Sequence, residues 1–282
     1  MKLTKILFSV AIGSALIACK NDPNTKATEA VAEPEVKKEE VVEDKFNYVV
    51  EQVADLKILR YQIPGWDKLS LKEQKLVYYL TQAGLSGRDI MWDQNYRYNL
   101  SIRKALENIY TTYAGDKSTE EWSAFETYLK RVWFSNGIHH HYSNDKIKPE
   151  FTKEYLTGLL TETKTTLVKE AVDVIFNDAD NKKVNQAKDV DNVAISAVNF
   201  YGPGVTNDDV VSFYKKMKSH NTDKPLYYGL NSKLVKENGT LKELVYKSGG
   251  LYGTAIDKII FWLEKAQGVA ENKAQGLSLI HI

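Results

Sequence analysis

The single cysteine, Cys19, closes an apolar run, and its position decides which part of the 282-residue chain can fold. The opening "MKLTKILFSVAIGSALIAC" sets Lys2 and Lys5 ahead of an apolar stretch from Ile6 to Ala18. Such a run is too short to cross a bilayer and has the layout of a secretory leader. Leu16-Ile17-Ala18-Cys19 is the pattern at which a bacterial leader is cut and the thiol takes a diacylglycerol. Residues 1–18 are thus expected to be a lipoprotein signal peptide, with Cys19 the lipid attachment and the new N-terminus. Each buried acyl methylene contributes about 0.8 kcal/mol, so two or three long chains give a lasting membrane anchor. The expected location is the cell envelope, facing the periplasm or at the cell surface. With no second cysteine, no disulfide can form within the chain. A hydrophobic core has to hold the fold.

That core begins after a tether. Residues 19–45 contain no aromatic residue after Cys19 and are crowded with Glu, Lys, Ala and Pro. Such a segment buries too little apolar surface to fold and reads as a disordered linker. Beyond Phe46 the sequence changes. "FNYVVEQVADLKILRYQIPG" mixes β-branched and aromatic residues up to Pro64-Gly65, a strand region. Ser70-x-x-Glu73 is a capping box opening a helix that Gly84 is expected to stop. A second helix carries Tyr96, Asn99, Leu100, Arg103, Leu106, Tyr110 and Tyr113 at helical spacing and ends by Gly115. Ser118-x-x-Glu121 opens a third, with Trp122, Phe125, Leu129, Val132 and Trp133, ending at Gly137. Further helices are expected over about 151–161 and 165–177.

Strands then enter. "NVAISAVNFYG" reads as a strand and "TNDDVVSFYKKMK" as a helix capped by Thr206. In "SKLVKENGTLKELVYK", Asn238-Gly239 between two strand-like runs is the strongest short hairpin signal. "TAIDKIIFWLEKAQ" returns to helix, with Ile256, Ile259, Ile260 and Leu263 on one apolar face. The fold class is helix-rich α+β with a small sheet. Residues 277–282, "LSLIHI", are what a common sequencing adapter gives in this frame. They are expected to be an artefact, outside the fold, with the natural protein continuing past Gly276.

Formal net charge is +1, so no global field recruits nucleic acid, and no nucleic-acid partner is expected. Three of the five histidines, His139, His140 and His141, stand together in "FSNGIHHHYSND". Adjacent side chains diverge on a strand or a helix, so at most two can reach one ion, whereas zinc takes three or four ligands. Gly137 before them and Ser143-Asn144-Asp145 after them place them on a loop. No metal site and no catalytic residue are expected in this chain. "DADNKK" fails as a calcium loop, since Lys183 and Asp189 stand where glycine and glutamate belong. Gly202 and Gly204 in "YGPGVT" lack a dinucleotide fingerprint or a phosphate-loop lysine. No nucleophile elbow is present.

Several long blocks in order carry a resemblance. They are "YYLTQAGLSGRDIMWDQNYRYNLSIRKALENIY", "FSNGIHHHYSNDKIKPEF", "NFYGPGVT" and "SGGLYGTAIDKIIFWLEKAQGVAEN". From about Phe46 to Gly276 the chain resembles the amino-terminal part of bacterial dipeptidyl peptidase III, of the type found in Bacteroidetes. The resemblance implies zinc exopeptidases that release dipeptides from the amino terminus of short peptides. It implies a two-lobed fold, residues 46–276 being the amino-terminal lobe with a small, partial β-barrel. In that family zinc sits on a His-Glu-x-x-x-His helix of the other lobe, polarising the scissile carbonyl and activating water, with the motif's Glu as general base. That motif is absent between Met1 and Ile282, so zinc belongs to the full-length enzyme and this chain is expected to be an inactive fragment. The loop "HHHYSNDKIKP" matches one bordering the family's cleft, which makes His141, Tyr142, Ser143 and Asn144 candidates for peptide contact. The competing reading is a non-catalytic envelope lipoprotein that captures sugars or peptides on its 17 Tyr and 5 Trp.

Overall fold

A computed structural model describes residues 46–217 and 228–281. The leader, Cys19 and the linker lie outside the described residues. The body is helix-rich α+β with two small antiparallel sheets. Its elements are β1 (Val49–Val53), β2 (Leu56–Leu59), α1 (Leu71–Ser86), α2 (Arg88–Asn95), α3 (Asn99–Thr112) and α4 (Glu120–Ser135). They continue with α5 (Lys153–Glu162), α6 (Lys169–Phe176), α7 (Asn192–Ile195) and α8 (Asn207–Lys215). The last are β3 (Ser232–Glu237), β4 (Thr240–Val245), α9 (Gly253–Gln267) and α10 (Lys273–His281).

One continuous core joins α2 to α6. Ile102, Leu106 and Ile109 of α3 meet Phe125, Leu129 and Val132 of α4, and Leu156 and Ile175 close the cluster. Trp122 stacks on Tyr113 with centroids 4.8 Å apart, so the aromatic stripes seen in the sequence are core packing. Elsewhere α9 packs along α1 and α10 along α9, and α7 meets α8. Trp262 of α9 stacks on Tyr79 of α1 at 5.9 Å. A polar knot ties β3 and α9 to α2: Asp93 accepts from Tyr252 Oη at 2.6 Å and Asn199 Nδ2 at 3.1 Å. Lys233 Nζ in turn donates to Asn199 Oδ1 at 2.5 Å.

The Ser70 capping box forms in full, with Ser70 Oγ accepting from Glu73 N and Glu73 accepting from Ser70 N. Thr206 and Asp209 form another. Asn238 and Gly239 both take left-handed φ, 50° and 80°, at the tip of the β3–β4 hairpin.

Several expectations need correction. The β component is two separate hairpins rather than a partial barrel, because among the described residues neither pairs with the other. Helix α1 runs through Gly84 to Ser86; an added Cβ at Gly84 would meet nothing, so nothing there forces a stop. The second helix is two: α2 stops before Tyr96, whose extended backbone breaks the run, and α3 starts at Asn99. The cap of α4 is Thr119, while Ser118 Oγ is spent on Asp116 at 2.6 Å. "NVAISAVNFYG" is not a strand. Asp191 caps the short α7, and among the described residues the rest finds a strand neighbour only at Tyr201 opposite Leu234. In α9, Ile260 and Phe261 lie outside the buried face. Residues 277–281, set aside in the sequence, lie at the end of α10, where Leu279 is buried, a placement that does not bear on whether they are adapter sequence.

Candidate functional site at the histidine hairpin

The histidine segment is placed by the end of α4. Asn136 and Gly137 take φ of 52° and 149°, and Gly137 N donates back to Val132 O at 3.1 Å, a left-handed helix stop. Ile138 is buried, and its N–H donates to Oδ1 of the buried Asn99 at 3.1 Å. From there the chain turns back on itself. Ile147 N donates to Ile138 O at 2.8 Å and His140 N to Asp145 O at 2.7 Å. The reversal is closed by Asn144 N to His140 O at 3.1 Å, with Asn144 at a left-handed φ of 61°.

Each histidine of the run has a different task. His139 is 2% exposed and lies edge-to-face on Tyr96 at 5.3 Å. Its Nε2 is 2.7 Å from Asp180 O, and a carbonyl only accepts, so Nε2 carries the proton and the buried Nδ1 is bare. Burial pushes its pKa down to about 4, so it is neutral at pH 7. His140 Nδ1 accepts from the backbone N–H of Tyr142 and of Ser143, at 3.2 Å each, and so stitches the turn. His141 alone points outward, packed between Phe134 at 4.9 Å and Tyr142 at 4.7 Å. Its pKa is lowered, by desolvation first and then by the neighbouring His140 and Lys183 charges. Among the described residues no three His, Cys, Asp or Glu side chains converge on a point. The histidine run does not fit zinc: two of its rings are committed to protein partners, and three or four ligands are needed.

The four candidate peptide-contact residues sit together at the hairpin tip but are not equivalent. Ser143 Oγ accepts from Asp145 N at 3.2 Å, and Asn144 O accepts from Lys183 N at 2.8 Å. With the amides of Tyr142, Ser143 and Asn144 used inside the turn, contact with a ligand falls to side chains. Tyr142 is the most open, at 84% exposure.

A neighbouring feature escapes sequence reading. The rim residue Phe134 also lines a mainly apolar cleft of about 320 Å³ with Glu51, Val53, Leu56, Ile58, Lys130 and Trp133. In the β1–β2 register, Glu51 faces Ile58 and Val53 faces Leu56, which puts these four on one face of the hairpin. Ion pairs hold that face over α4: Lys130 to Glu51 at 2.5 Å and Arg131 to Asp55 at 2.8 Å. The available signal was Phe134 and Trp133, apolar residues at the end of α4 off its buried stripe. Their partners, some eighty residues earlier in the chain, had none.

No family model matches the chain, and no curated protein matches it. Among solved structures it is similar to "Structure of DPP III from Caldithrix abyssi", at 19% identity and a TM-score of 0.47. The match covers 78% of this chain and 30% of that one, so the chain spans less than a third of the length of that structure. Similarity of this degree assigns no role to any residue.

Proposed function

We propose that the chain is the peptide-holding, amino-terminal part of an envelope-anchored, zinc-dependent dipeptidyl peptidase that releases dipeptides from the N-terminus of short peptides. The support in sequence is the set of ordered blocks that resemble dipeptidyl peptidase III. The observation that carries a peptide-holding role is the tip of the histidine hairpin. Its backbone is tied down by its own hydrogen bonds, while the exposed Tyr142 ring and the His141 ring, itself packed against Phe134, lie beside an apolar cleft. A rigid aromatic pair next to an apolar recess suits the alternating side chains of an extended peptide. In the enzyme proposed, zinc and the general base would sit on a His-Glu-x-x-x-His helix, a motif that residues 1–282 do not contain. The ligand is a peptide; nucleic acid is not proposed as a partner.

Short peptides with free N-termini should bind this chain in a calorimetric titration, and Tyr142→Ala should weaken binding by about tenfold, the loss of one exposed aromatic contact. Failure of any short peptide to bind, or binding indifferent to Tyr142→Ala, Phe134→Ala and His141→Ala alike, would remove the hairpin from the reading.

The anchor belongs to the same proposal. No helix among the described residues is long and apolar enough to cross a membrane. The anchor we propose is a lipid on Cys19, the lone cysteine that closes the apolar leader. A fatty-acid analogue fed to expressing cells should label the wild type and leave Cys19→Ser dark; equal label in both rules the anchor out.

A further inference from the structure

The chain contains two Asn-Gly pairs, Asn136-Gly137 and Asn238-Gly239. Asn-Gly is the dipeptide most prone to spontaneous loss of the side-chain amide, because glycine leaves the following backbone nitrogen unshielded. The structure treats the two pairs in opposite ways. At Asn136-Gly137 the attacking group is withheld: Gly137 is buried and its N–H is bound to Val132 O at 3.1 Å. The Asn99 side chain also packs directly on Gly137, its Nδ2 2.2 Å from where a Cβ would lie, which holds that residue in place. At Asn238-Gly239 both residues are exposed at a hairpin tip, and the space around Gly239 is open. Among the described residues, neither the Asn238 side chain nor the Gly239 amide has a hydrogen-bond partner. A two-residue turn with left-handed φ at both positions leaves both amides outside the ladder, where Glu237 pairs with Thr240.

We infer that Asn238 is a site of spontaneous modification and that the fold confines this chemistry to it. The Gly239 nitrogen loses its proton to solvent base and attacks Asn238 Cγ. The N–Cγ bond forms, the Cγ–Nδ2 bond breaks, and ammonia leaves with a proton from water. Water then opens the cyclic imide at either carbonyl, giving aspartate or isoaspartate, and each product adds one negative charge. The two differ in consequence. Aspartate tolerates left-handed φ and keeps the turn. Isoaspartate puts an extra methylene into the main chain, so a two-residue loop no longer fits the Glu237–Thr240 register. The strain falls on β3, whose Leu234 is fully buried and exchanges hydrogen bonds with Phe200 and Gly202.

The test uses the full chain, aged in mildly alkaline buffer, once folded and once in denaturant. Peptide mapping follows both pairs, and an isoaspartyl methyltransferase reports the isoaspartate. In the folded protein Asn238 should be converted on the order of tenfold or more faster than Asn136, which reacts only through local opening of the α4 terminus. In denaturant the two rates should be close to equal. Conversion of Asn136 at the rate of Asn238 in folded protein would overturn the inference. So would an intact Asn238 in folded protein after the unfolded sample has reacted.

Discussion

Replacing Gly137 by alanine is expected to destabilise the protein by about 3–4 kcal/mol, with contributions from backbone strain and from overpacking. The backbone φ of 149° is one that residues with a Cβ rarely adopt. The new methyl would also fall 2.2 Å from Asn99 Nδ2 and 2.7 Å from its Cγ. Asn99 cannot retreat without cost. Its Nδ2 donates to Trp92 O at 3.1 Å and its Oδ1 accepts from Ile138 N at 3.1 Å, in a site closed to water. Displacing it leaves the buried Ile138 N–H unpaired, whereas Trp92 O still accepts from Tyr96 N. Urea unfolding measures the loss, and a double mutant separates its parts. In an Asn99→Ala background the methyl has room, so Gly137→Ala should cost only the strain. A coupling of at least about 1 kcal/mol is expected, and simple additivity of the two changes would refute the clash. The same variant should loosen the histidine hairpin, because Gly137 and Asn99 together set the direction in which Ile138 leaves α4.

What the sequence displayed well was local chemistry that acts over a few residues. The Ser70 box, the Thr206 cap and the Asn238-Gly239 turn each complete their hydrogen bonds within four residues, so pattern and structure coincide. Where two local solutions compete, the pattern is ambiguous. Ser118 and Thr119 are both competent caps, and Asp116 decides between them by accepting from Ser118. "NVAISAV" is apolar and β-branched enough to read as a strand, but Asp191 supplies a cap, accepting from Ala194 N at 2.9 Å. No neighbouring strand among the described residues runs alongside to reward extension. Gly84 weakens a helix by propensity, yet α1 lies along α9, with Tyr79 stacked on Trp262, and packing outweighs one glycine.

The candidate site divides along the same line. The loop character of residues 138–145 was legible from Gly137 and from Ser143-Asn144-Asp145. The tasks of His139 and His141 were not, because they depend on Asp180 and Phe134, and nothing local marks either as a neighbour; only His140 works through its own turn. The cleft was hidden for the same reason. Its two walls lie far apart in sequence and are joined by the Lys130–Glu51 and Arg131–Asp55 pairs, which in sequence are ordinary surface charges. Such pairs, largely exposed, are individually weak. Val53, Leu56 and Ile58 of the hairpin and Trp133 and Phe134 of α4 face one another across that cleft, residues that the sequence offers as one short strand pattern and one helix end.

His139 makes the folded state sensitive to mild acid. Its folded pKa is about 4 against an ordinary 6.5, lowered by burial first and then by the Lys146 and Lys183 charges, and only partly restored by the Asp180 carbonyl. A base with a depressed pKa binds its proton more readily unfolded than folded. Its contribution to stability is therefore complete above pH 6.5, shrinks as pH falls towards 4 and is gone below. The difference across that window is roughly 3 kcal/mol, since each tenfold drop in proton affinity on folding is worth about 1.4 kcal/mol. His141 shifts in the same direction but is exposed, so it adds little. The carboxylates whose pKa values are lowered, Asp145, Asp173, Asp191 and Asp209 among them, lose their contributions at still lower pH and so leave this window to the histidines. His139→Gln separates the cause, because the glutamine amide can donate to Asp180 O as Nε2–H does but does not titrate. Urea midpoints measured from pH 7.5 to 4 should fall steeply for the wild type and much less for His139→Gln. Parallel curves for the two proteins would show that the buried ring does not carry the acid sensitivity.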